Sequence, residues 1–350
     1  MEQAVKGMTM QEALAHLIAG KDLSRAQAEE LMTRIMEGEA TPAQIAGVLT
    51  ALRMKGETVD EIAGFAKIMR EKSHRVRTVQ DGLLDTCGTG GSGIHKFNVS
   101  TSSAIIAAAA GVRVAKHGNR AMSGKAGSAD VLEALGVNIR LTPEQAAQCL
   151  AETGICFLFA QIYHPSMKHA AGPRRELGVR TVFNLLGPLT NPAGADRQLL
   201  GLYDRTKTET IAEVLRELGI RRALVVGSFD GLDEISISQE TQVSELKDGE
   251  IRTYVLKPEE LGLERRPLGE IVGGTPEENA AIVRRVFRGE ERGAYRDIVL
   301  ANGGACIYLG GKAESLKAGV EAAAAVIDSG AAEAKLEELI RKTGEFADVS

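Results

Sequence analysis

An alternation of short apolar segments with helical segments begins near residue 82 and restricts the fold of this chain more than any other feature. Such alternation is typical of a mostly parallel sheet whose strands are joined by crossover helices. An antiparallel pair is predicted around Asp248-Gly249, and three closing helices follow it. The predicted strands are 83–84, 112–115, 137–141, 155–160, 198–202, 223–227, 242–246 and 251–256, and the predicted helices between them are 100–110, 128–135, 143–153 and 206–218.

The first part of the chain, residues 9–73, has a helical pattern instead, with apolar residues at a spacing of three and four. Four capping boxes of the form S/T-x-x-E/Q mark the helix starts. They lie at Thr9 to Glu12, Ser24 to Gln27, Thr41 to Gln44 and Thr58 to Glu61. The predicted fold class is therefore α/β, with a small N-terminal all-helical domain and a large α/β domain whose mostly parallel central sheet is flanked by helices.

The composition excludes several classes of protein. The chain has 350 residues, 44% hydrophobic residues and a formal net charge of -5, values that are ordinary for a globular protein. This charge favours neither a nucleic-acid partner nor a membrane partner, and no apolar run reaches the ~18 residues of a membrane span. The four cysteines have no C-x-x-C spacing and the chain start has no signal-peptide pattern, so a cytoplasmic protein with reduced thiols is expected.

A glycine-rich run follows the first predicted strand. Residues 88–93 read GTGGSG, and glycines without Cβ atoms let backbone N–H groups crowd around an anion. Ser100 or Thr101 is predicted to cap the next helix, whose N-terminus would face the same space. The second strand ends in Lys116. Together these features predict a site for a phosphorylated ligand.

Two better-known phosphate motifs fit less well. Residues 88–93 match G-x-G-x-x-G, but a dinucleotide fold opens its helix within that motif and ends the next strand in Asp or Glu, where Lys116 stands here. A P-loop also fails, because five residues instead of four separate Gly118 from Gly124, and Ala126 stands where Ser or Thr should bind magnesium.

Residues 161–194 combine a basic cluster with a Gly/Pro-rich turn. This segment suits a second anion, and the fork of an arginine suits a carboxylate. A solvated helix face followed by a loop explains the same spacing, so both interpretations stay open.

Asp233 and Glu234 form an acidic pair after a predicted strand and a turn that Asp230 sets. Adjacent carboxylates in a loop are commonly surface groups. They can also supply the oxygen ligands of Mg²⁺, which keeps several waters and takes phosphate oxygens from a substrate.

Three long motifs, in order along the chain, resemble those of the anthranilate phosphoribosyltransferases: DTCGTGGSG…FNVST…VAKHGNRAMSGKAGSADVLEALGV, FAQIYHPSMKHAAGPRRELGVRTVFNLLGPLTNP and VVGSFDGLDEIS. The resemblance covers nearly the whole chain. It implies a helical domain of residues 1–78, to which residues 168–192 return, and a phosphoribosyl pyrophosphate-binding domain of residues 79–350. It also implies a hinge between them and a homodimer that associates through the helical domains.

The resemblance also implies roles for individual residues. Those implied for phosphoribosyl pyrophosphate are Gly88, Thr89, Gly90, Gly91, Ser92, Asn98, Ser100, Thr101, Lys116 and Ser123. Those implied for anthranilate are Gly88, His117, Asn119, Tyr163, Arg174 and Gly187. Two magnesium ions per subunit would use Ser100, Asp233 and Glu234 together with the substrate pyrophosphate. Lys116, His117 and Arg174 are the implied catalytic residues. Ser92 departs from the family, which often has Asp there, so an altered affinity for magnesium or phosphoribosyl pyrophosphate is expected.

The implied activity is that of a pentosyltransferase of tryptophan biosynthesis, which joins the phosphoribosyl group to the amine of anthranilate and releases pyrophosphate. Its oxocarbenium-like transition state needs no protein nucleophile. His117 could position the substrate or act as a general base. Two rival functions are considered: a pyrimidine-nucleoside phosphorylase should lack the Asp233-Glu234 pair, and a nucleic-acid-binding relative should be strongly basic.

Overall fold

The computed structural model describes residues 7–90, 93–121 and 124–347. Its first part is a helical bundle in which each helix is opened by a capping box, so all four predicted helix starts are confirmed. A side-chain cap is worth ~1 kcal/mol and depends on neighbouring residues only, which makes such starts predictable from sequence. The helices are α1 (Met10–Ile18), α2 (Arg25–Glu37), α3 (Pro42–Lys55) and α4 (Val59–Glu71).

The larger part of the chain is built on one seven-stranded sheet. Its strands are β1 (Leu83–Gly88), β2 (Arg113–Gly118), β3 (Ile155–Phe159), β4 (Arg197–Gly201), β5 (Arg222–Ser228), β6 (Thr241–Lys247) and β7 (Glu250–Leu256). In space the order is β3-β2-β1-β4-β5-β6-β7. Strands β1 to β5 are parallel, and β6 and β7 add antiparallel. The predicted sheet and its antiparallel pair are confirmed.

Helices cover the sheet and connect its strands. In chain order they are α5 (Val99–Ala109), α6 (Ser128–Leu135), α7 (Pro143–Thr153), α8 (Ala160–Tyr163), α9 (Lys168–Leu177), α10 (Phe183–Leu186), α11 (Thr208–Glu217), α12 (Pro276–Phe287), α13 (Ala294–Leu309), α14 (Leu316–Asp328) and α15 (Ala331–Glu345). Four helices therefore close the described chain, and the prediction of three was wrong.

The prediction of a strand at 137–141 was also wrong. Val137, Ile139 and Leu141 are buried in alternation, as a strand pattern requires. The backbone N–H of Asn138, however, donates to the Thr343 hydroxyl at 3.1 Å and not to a neighbouring strand. The alternating burial of these residues therefore belongs to an extended connection between α6 and α7 and not to a strand.

The sheet separates two apolar cores, and successive residues of one strand contribute to opposite cores, as Leu199 and Leu200 do. The core on one side includes α5 and α13. The core on the other side includes α1 to α4, α11 and residues such as Ala170 and Phe183. The helical bundle is thus packed against α11 and the segment that contains α9 and α10. The boundary between residues 78 and 79, and the return of residues 168–192 to the helical domain, stay predictions.

The strand order also sets where a ligand can bind. From β1 the chain moves outward through β2 and β3, and it then returns to place β4 on the other side of β1. The boundary between β1 and β4 is therefore a topological switch point, and ligands of open α/β sheets bind at the carboxyl ends of the strands at such a point. Gly88 and Gly201, register partners, lie at the ends of these two strands.

Candidate active site

The ends of β1 and β4 are glycines because another segment of the chain crosses directly over them. A Cβ atom on Gly88 would lie 2.5 Å from Oδ2 of Asp233, and a Cβ atom on Gly201 would collide with the backbone carbonyl oxygen of Asp233. The absence of side chains at both strand ends therefore lets Asp233 reach the switch point.

The loop that presents Asp233 and Glu234 is held from both sides. The Asp230 carboxylate accepts hydrogen bonds from the hydroxyls of Ser228, Ser236 and Ser238 and from the N–H of Leu232. On the other side, the side-chain amide of Asn302 on α13 accepts from the N–H of Ile235 at 2.9 Å and donates to its carbonyl at 3.0 Å. The predicted turn at Asp230 is thus a preorganised support for the acidic pair.

Lys96 lies between the two carboxylates of this pair. Its Nζ donates to Oδ1 of Asp233 at 2.7 Å and to Oε1 of Glu234 at 2.8 Å. The other carboxylate oxygen of Asp233 accepts from the N–H of Gly90 at 2.9 Å. The glycine-rich loop, the acidic pair and a cation are therefore joined in one network at the switch point.

This network changes the proton affinity of each member. Burial alone would raise the pKa of Asp233, but the Lys96 ammonium and the Gly90 N–H outweigh it, so this pKa lies below its ordinary value. Burial, with the charge of Asp233, raises the pKa of Glu234 despite Lys96. Burial would lower the pKa of Lys96, but the two carboxylates raise it above its usual value. Lys96 is therefore a cation at neutral pH.

Helix α5 points its N-terminus at the same place, although it starts differently from the prediction. Its N-cap residue is Asn98, and no side chain caps it, so the predicted cap by Ser100 or Thr101 was wrong. The Asn98 side chain is instead occupied by Asn279, whose amide donates to it at 2.9 Å. The first-turn N–H groups of α5 have no side-chain cap, the condition in which a helix terminus binds anions.

Lys116 connects this helix to β1. Its buried Nζ donates to the Thr86 carbonyl at 2.6 Å and to the Ser100 hydroxyl at 3.3 Å. The Thr101 hydroxyl is buried nearby in α5 and has no hydrogen-bond partner in the described chain. Thr89 is tied to β4, because its N–H donates to the Gly201 carbonyl at 2.9 Å and its hydroxyl accepts from the N–H of Tyr203.

Asp85 lies beneath these groups in β1, completely buried. Oδ1 accepts from the backbone N–H of His117 at 3.0 Å, and Oδ2 has no partner in the described part of the chain. Burial raises its pKa to about 6, against the opposing effect of the nearby Lys116 charge.

A second group of residues surrounds His117. Its ring lies against the ring of His164, with centroids 5.1 Å apart, and it hydrogen-bonds to the backbone of Gly187. Burial, together with the charges of His164 and Lys116, holds the pKa of His117 well below its ordinary value. Burial also lowers the pKa of His164 to about 4. Both imidazoles are therefore neutral at pH 7, and Nε2 of each has no partner among the described residues.

Three other predicted site residues differ in what their side chains contact. The Arg174 guanidinium stacks over the Phe183 ring, 5.0 Å from its centroid, and burial lowers its pKa. The carbonyl oxygen of the Asn119 side chain accepts from the N–H of Arg120 at 2.8 Å. Tyr163 is completely buried and its hydroxyl donates to the Leu141 carbonyl at 2.9 Å, so this hydroxyl is directed into the core.

Three predicted site residues, Gly91, Ser92 and Ser123, lie outside the residues that the structure describes. The structure brings together Gly88, Gly90, Ser100, Lys116, Asp233 and Glu234 around the switch point, and it joins His117 to Gly187 next to them.

Comparison with known proteins follows the division of the chain into a bundle and a sheet. The protein-family model described as "Glycosyl transferase family, a/b domain" matches residues 80–333. A second family model, described as "Glycosyl transferase family, helical bundle domain", matches residues 11–73. The anthranilate phosphoribosyltransferase of Brevibacillus brevis is 56% identical over 325 residues, which are 93% of this chain and 95% of that protein. The chain belongs to the anthranilate phosphoribosyltransferase family.

Solved structures of this family have the same fold. The anthranilate phosphoribosyltransferase of Thermus thermophilus is 48% identical, with a TM-score of 0.90 over 95% of this chain and 99% of that one. The Saccharomyces cerevisiae anthranilate phosphoribosyltransferase, solved in complex with PRPP and Mg, is 27% identical, with a TM-score of 0.88 over 96% of this chain and 98% of that one. The family resemblance and the fold class predicted from the sequence are confirmed.

For a member of the anthranilate phosphoribosyltransferase family, the fit of the acidic pair to a metal ion matters. No group of three or more His, Cys, Asp or Glu side chains in the described residues could hold a metal by itself. Asp233 and Glu234 place two carboxylates side by side, an arrangement that fits Mg²⁺ because this ion binds through one or two carboxylates, waters and substrate phosphates. The described chain also contains no helix that is long and apolar enough to cross a membrane.

Sequence reasoning assigned no individual role to four residues of this site, of which only His164 lies in the predicted basic segment 161–194. Lys96 and His164 contact predicted site residues directly, and Gly201 and Asn302 fix the position of the acidic pair. A lone lysine between a glycine-rich run and a helix start was a usable signal for Lys96. No local signal marks Asn302, whose partner Ile235 is 67 positions away.

Proposed function

We propose that this chain transfers the phosphoribosyl group of 5-phosphoribosyl 1-pyrophosphate to the amine of anthranilate in tryptophan biosynthesis. The bond from the anomeric carbon to the pyrophosphate oxygen breaks, a bond from that carbon to the amine nitrogen forms, and the amine loses one proton. The observation that most supports this function is the meeting of the glycine-rich loop, Lys116 and the buried Asp233-Glu234 pair at the β1–β4 switch point.

The pyrophosphate half of the site would use the loop backbone and the start of α5. N–H groups of Gly88, Thr89 and Gly90, with the predicted Gly91 and Ser92, would surround the leaving group, and Asn98, Ser100 and Thr101 would bind it from α5. Lys116 and the predicted Ser123 would contact the phosphoribosyl group. Groups preorganised in this way stabilise the charge that develops on pyrophosphate, because they are already oriented before the reaction begins.

Magnesium would be held by Ser100, Asp233 and Glu234, with two ions per subunit that also bind the substrate pyrophosphate. A bound Mg²⁺ supplies charge neutralisation at the departing pyrophosphate. Support comes from the two adjacent buried carboxylates and from the Saccharomyces cerevisiae relative solved with PRPP and Mg.

The anthranilate half would lie beside His117, Asn119, Gly187 and Arg174, with Gly88 between the two halves. Arg174 would pair with the carboxylate of anthranilate, since this half-buried cation has no acidic partner in the described chain. A direct contact with Tyr163 stays a prediction, and the hydrogen bond from its hydroxyl to Leu141 favours a structural role.

His117 would act mainly by position. Its low pKa keeps the imidazole neutral, and its hydrogen bond to Gly187 fixes the ring. A neutral imidazole can accept a proton, but an aromatic amine attacks without prior deprotonation, so a base would add little before the bond forms.

We further propose a homodimer in the cytoplasm. The family resemblance supports the dimer, and the four free cysteines, Cys87, Cys149, Cys156 and Cys306, support a reducing compartment.

The direct test is a fluorescence assay. Protein, Mg²⁺ and phosphoribosyl pyrophosphate are mixed with anthranilate, and we expect anthranilate emission to disappear with release of one pyrophosphate per anthranilate consumed. A nucleoside phosphorylase would instead consume inorganic phosphate with a pyrimidine nucleoside and leave the anthranilate signal unchanged.

The carboxylate assignment is tested by Arg174→Ala. We expect the KM for anthranilate to rise ~100-fold and the KM for phosphoribosyl pyrophosphate to stay nearly constant, because a charge-assisted bidentate contact is lost on one substrate only. Arg175→Ala is the matched control, since Arg175 is exposed on the same helix. Equal increases in both KM values would refute the role of Arg174.

A further inference from the structure

Lys96 occupies a position that the proposed mechanism does not use. It lies between the glycine-rich run and α5, its side chain is 16% exposed, and its ammonium bridges Asp233 and Glu234. Among the described residues, the Glu234 carboxylate accepts a hydrogen bond from Lys96 only. The ammonium therefore binds one oxygen atom of each carboxylate that is proposed to hold a divalent cation.

The backbone around Lys96 is held firmly by a neighbouring segment of the chain. Lys96 forms a β-bridge with Val272, the N–H of Phe97 donates to the Ile271 carbonyl at 3.2 Å, and the N–H of Gly273 donates to the His95 carbonyl at 2.8 Å. A Cβ atom on Gly273 would lie 2.7 Å from the Phe97 nitrogen, so the two segments are in close contact. Because this backbone is fixed, a change of partner by the ammonium would have to come from rotation of the Lys96 side chain.

We propose that Lys96 is an exchangeable cation, whose ammonium competes with a divalent metal for Asp233 and Glu234 and pairs with the substrate pyrophosphate when the metal binds. This inference rests on the proposed role of the two carboxylates as metal ligands. The exchange would make the binding of metal and of pyrophosphate interdependent. A metal ion that binds without pyrophosphate displaces the Lys96 ammonium, which then has no anion to pair with. With pyrophosphate present, the displaced ammonium gains a new partner.

A second lysine of the chain provides a matched control. Lys55 in the helical bundle also bridges two carboxylates, Asp22 at 2.7 Å and Glu61 at 3.0 Å, and its side chain is buried. The Glu61 carboxylate additionally accepts from the N–H groups of Leu23 and Thr58, both at 2.9 Å. Removal of the Lys55 charge should therefore not create a metal site, although it breaks a similar pair of ion contacts.

The experiment titrates Mn²⁺ into wild type, Lys96→Met and Lys55→Met without substrate and measures bound metal by electron paramagnetic resonance. We expect Lys96→Met to bind Mn²⁺ at least ~10-fold more tightly than wild type, because no ammonium has to be displaced. Lys55→Met should bind Mn²⁺ as wild type does. Lys96→Arg, which keeps the charge, should resemble wild type, and Lys96→Gln, which keeps amide donors and guards against a folding defect, should resemble Lys96→Met.

Thermal unfolding gives a second measurement. Mg²⁺ alone should raise the Tm of Lys96→Met clearly and that of wild type little, whereas Mg²⁺ with inorganic pyrophosphate should stabilise wild type. If Lys96→Met and Lys96→Gln bind Mn²⁺ no more tightly than wild type, the exchange is refuted.

The failure of the proposed metal ligands has a different signature. Asp233→Asn with Glu234→Gln is placed in the Lys96→Met background, and we expect the gained Mn²⁺ binding to be lost. If that binding persists, the two carboxylates are not the ligands, and the proposed metal site itself is wrong.

Discussion

The helical bundle and the strand-end site each contain a lysine that bridges two carboxylates, and the two arrangements differ in what else the carboxylate oxygens bind. In the bundle, Glu61 is fully buried and also accepts two backbone N–H groups, which connect the start of α4 to Leu23. At the switch point, Glu234 has only Lys96 among the described residues. We therefore expect the same ionic contact to be structural at Glu61, whose oxygens have further donors, and exchangeable at Glu234.

The largest expected effect is on turnover, which should depend on the Asp233-Glu234 pair and not on the Asp22-Glu61 pair. Asp233→Asn with Glu234→Gln should lower turnover at least ~100-fold and abolish its saturation by Mg²⁺, because the metal contribution to the transition state is several kcal/mol. The measurement is kcat over a magnesium titration. Asp22→Asn with Glu61→Gln is the matched control, and its folded fraction should keep the magnesium dependence of wild type. An unchanged titration for the Asp233-Glu234 variant would make that pair an ordinary buried ion pair.

The next effect concerns stability in the bundle. Lys55→Met should lower the free energy of unfolding by ~3 kcal/mol, because the fully buried Glu61 carboxylate loses its cation. Urea denaturation measures this change, and Mg²⁺ should not restore the loss. A restoration by Mg²⁺ would mean that Asp22 and Glu61 can also bind metal, which would remove the distinction between the two regions.

Local interactions explain which parts of the molecule could be predicted from sequence. The capping box that opens each bundle helix lies within four consecutive residues, so the helix starts were read correctly. The strand predicted from alternating apolar residues at 137–141 was wrong, because burial on one side does not require a neighbouring strand. The N–H of Asn138 donates to the Thr343 hydroxyl instead. The cap of α5 was missed because Asn279, 181 positions away, binds the Asn98 side chain.

The candidate site likewise has some parts that could be predicted from sequence and others that could not. The glycine spacing and the adjacent pair Asp233-Glu234 can be recognised within short segments of the sequence. The other predicted site residues came from the resemblance to the family's motifs. The bridge from Lys96 to that pair is not visible, because its partners lie 137 and 138 positions further along the chain. Sequence reasoning thus identified the groups proposed to bind ligands and missed the lysine that bridges two of them.

A fourth buried carboxylate, that of Asp85, extends the comparison, because it has a lysine nearby but no ammonium that contacts it. Lys116 donates to Thr86 and Ser100 rather than to Asp85, and burial raises the pKa of Asp85 to about 6 from an ordinary value of 3.8. Asp233, which Lys96 contacts, has a lowered pKa. Contact with the ammonium and the Gly90 N–H outweighs burial at Asp233, whereas burial outweighs the more distant Lys116 charge at Asp85.

The smallest predicted effect follows from this raised pKa. The folded protein holds the Asp85 proton more tightly than the unfolded chain, so the favourable contribution is complete below pH ~4 and is lost as the pH rises through about 6. Asp85→Asn stays uncharged and should unfold with a free energy ~2–3 kcal/mol higher than wild type at pH 7, with most of the difference lost near pH 4. Urea denaturation from pH 4 to 7 measures it, and Asp22→Asn, at an exposed carboxylate, should show no such rise between those pH values. A constant difference across the range would mean that Asp85 is ionised throughout, and that Lys116 stabilises its charge without direct contact.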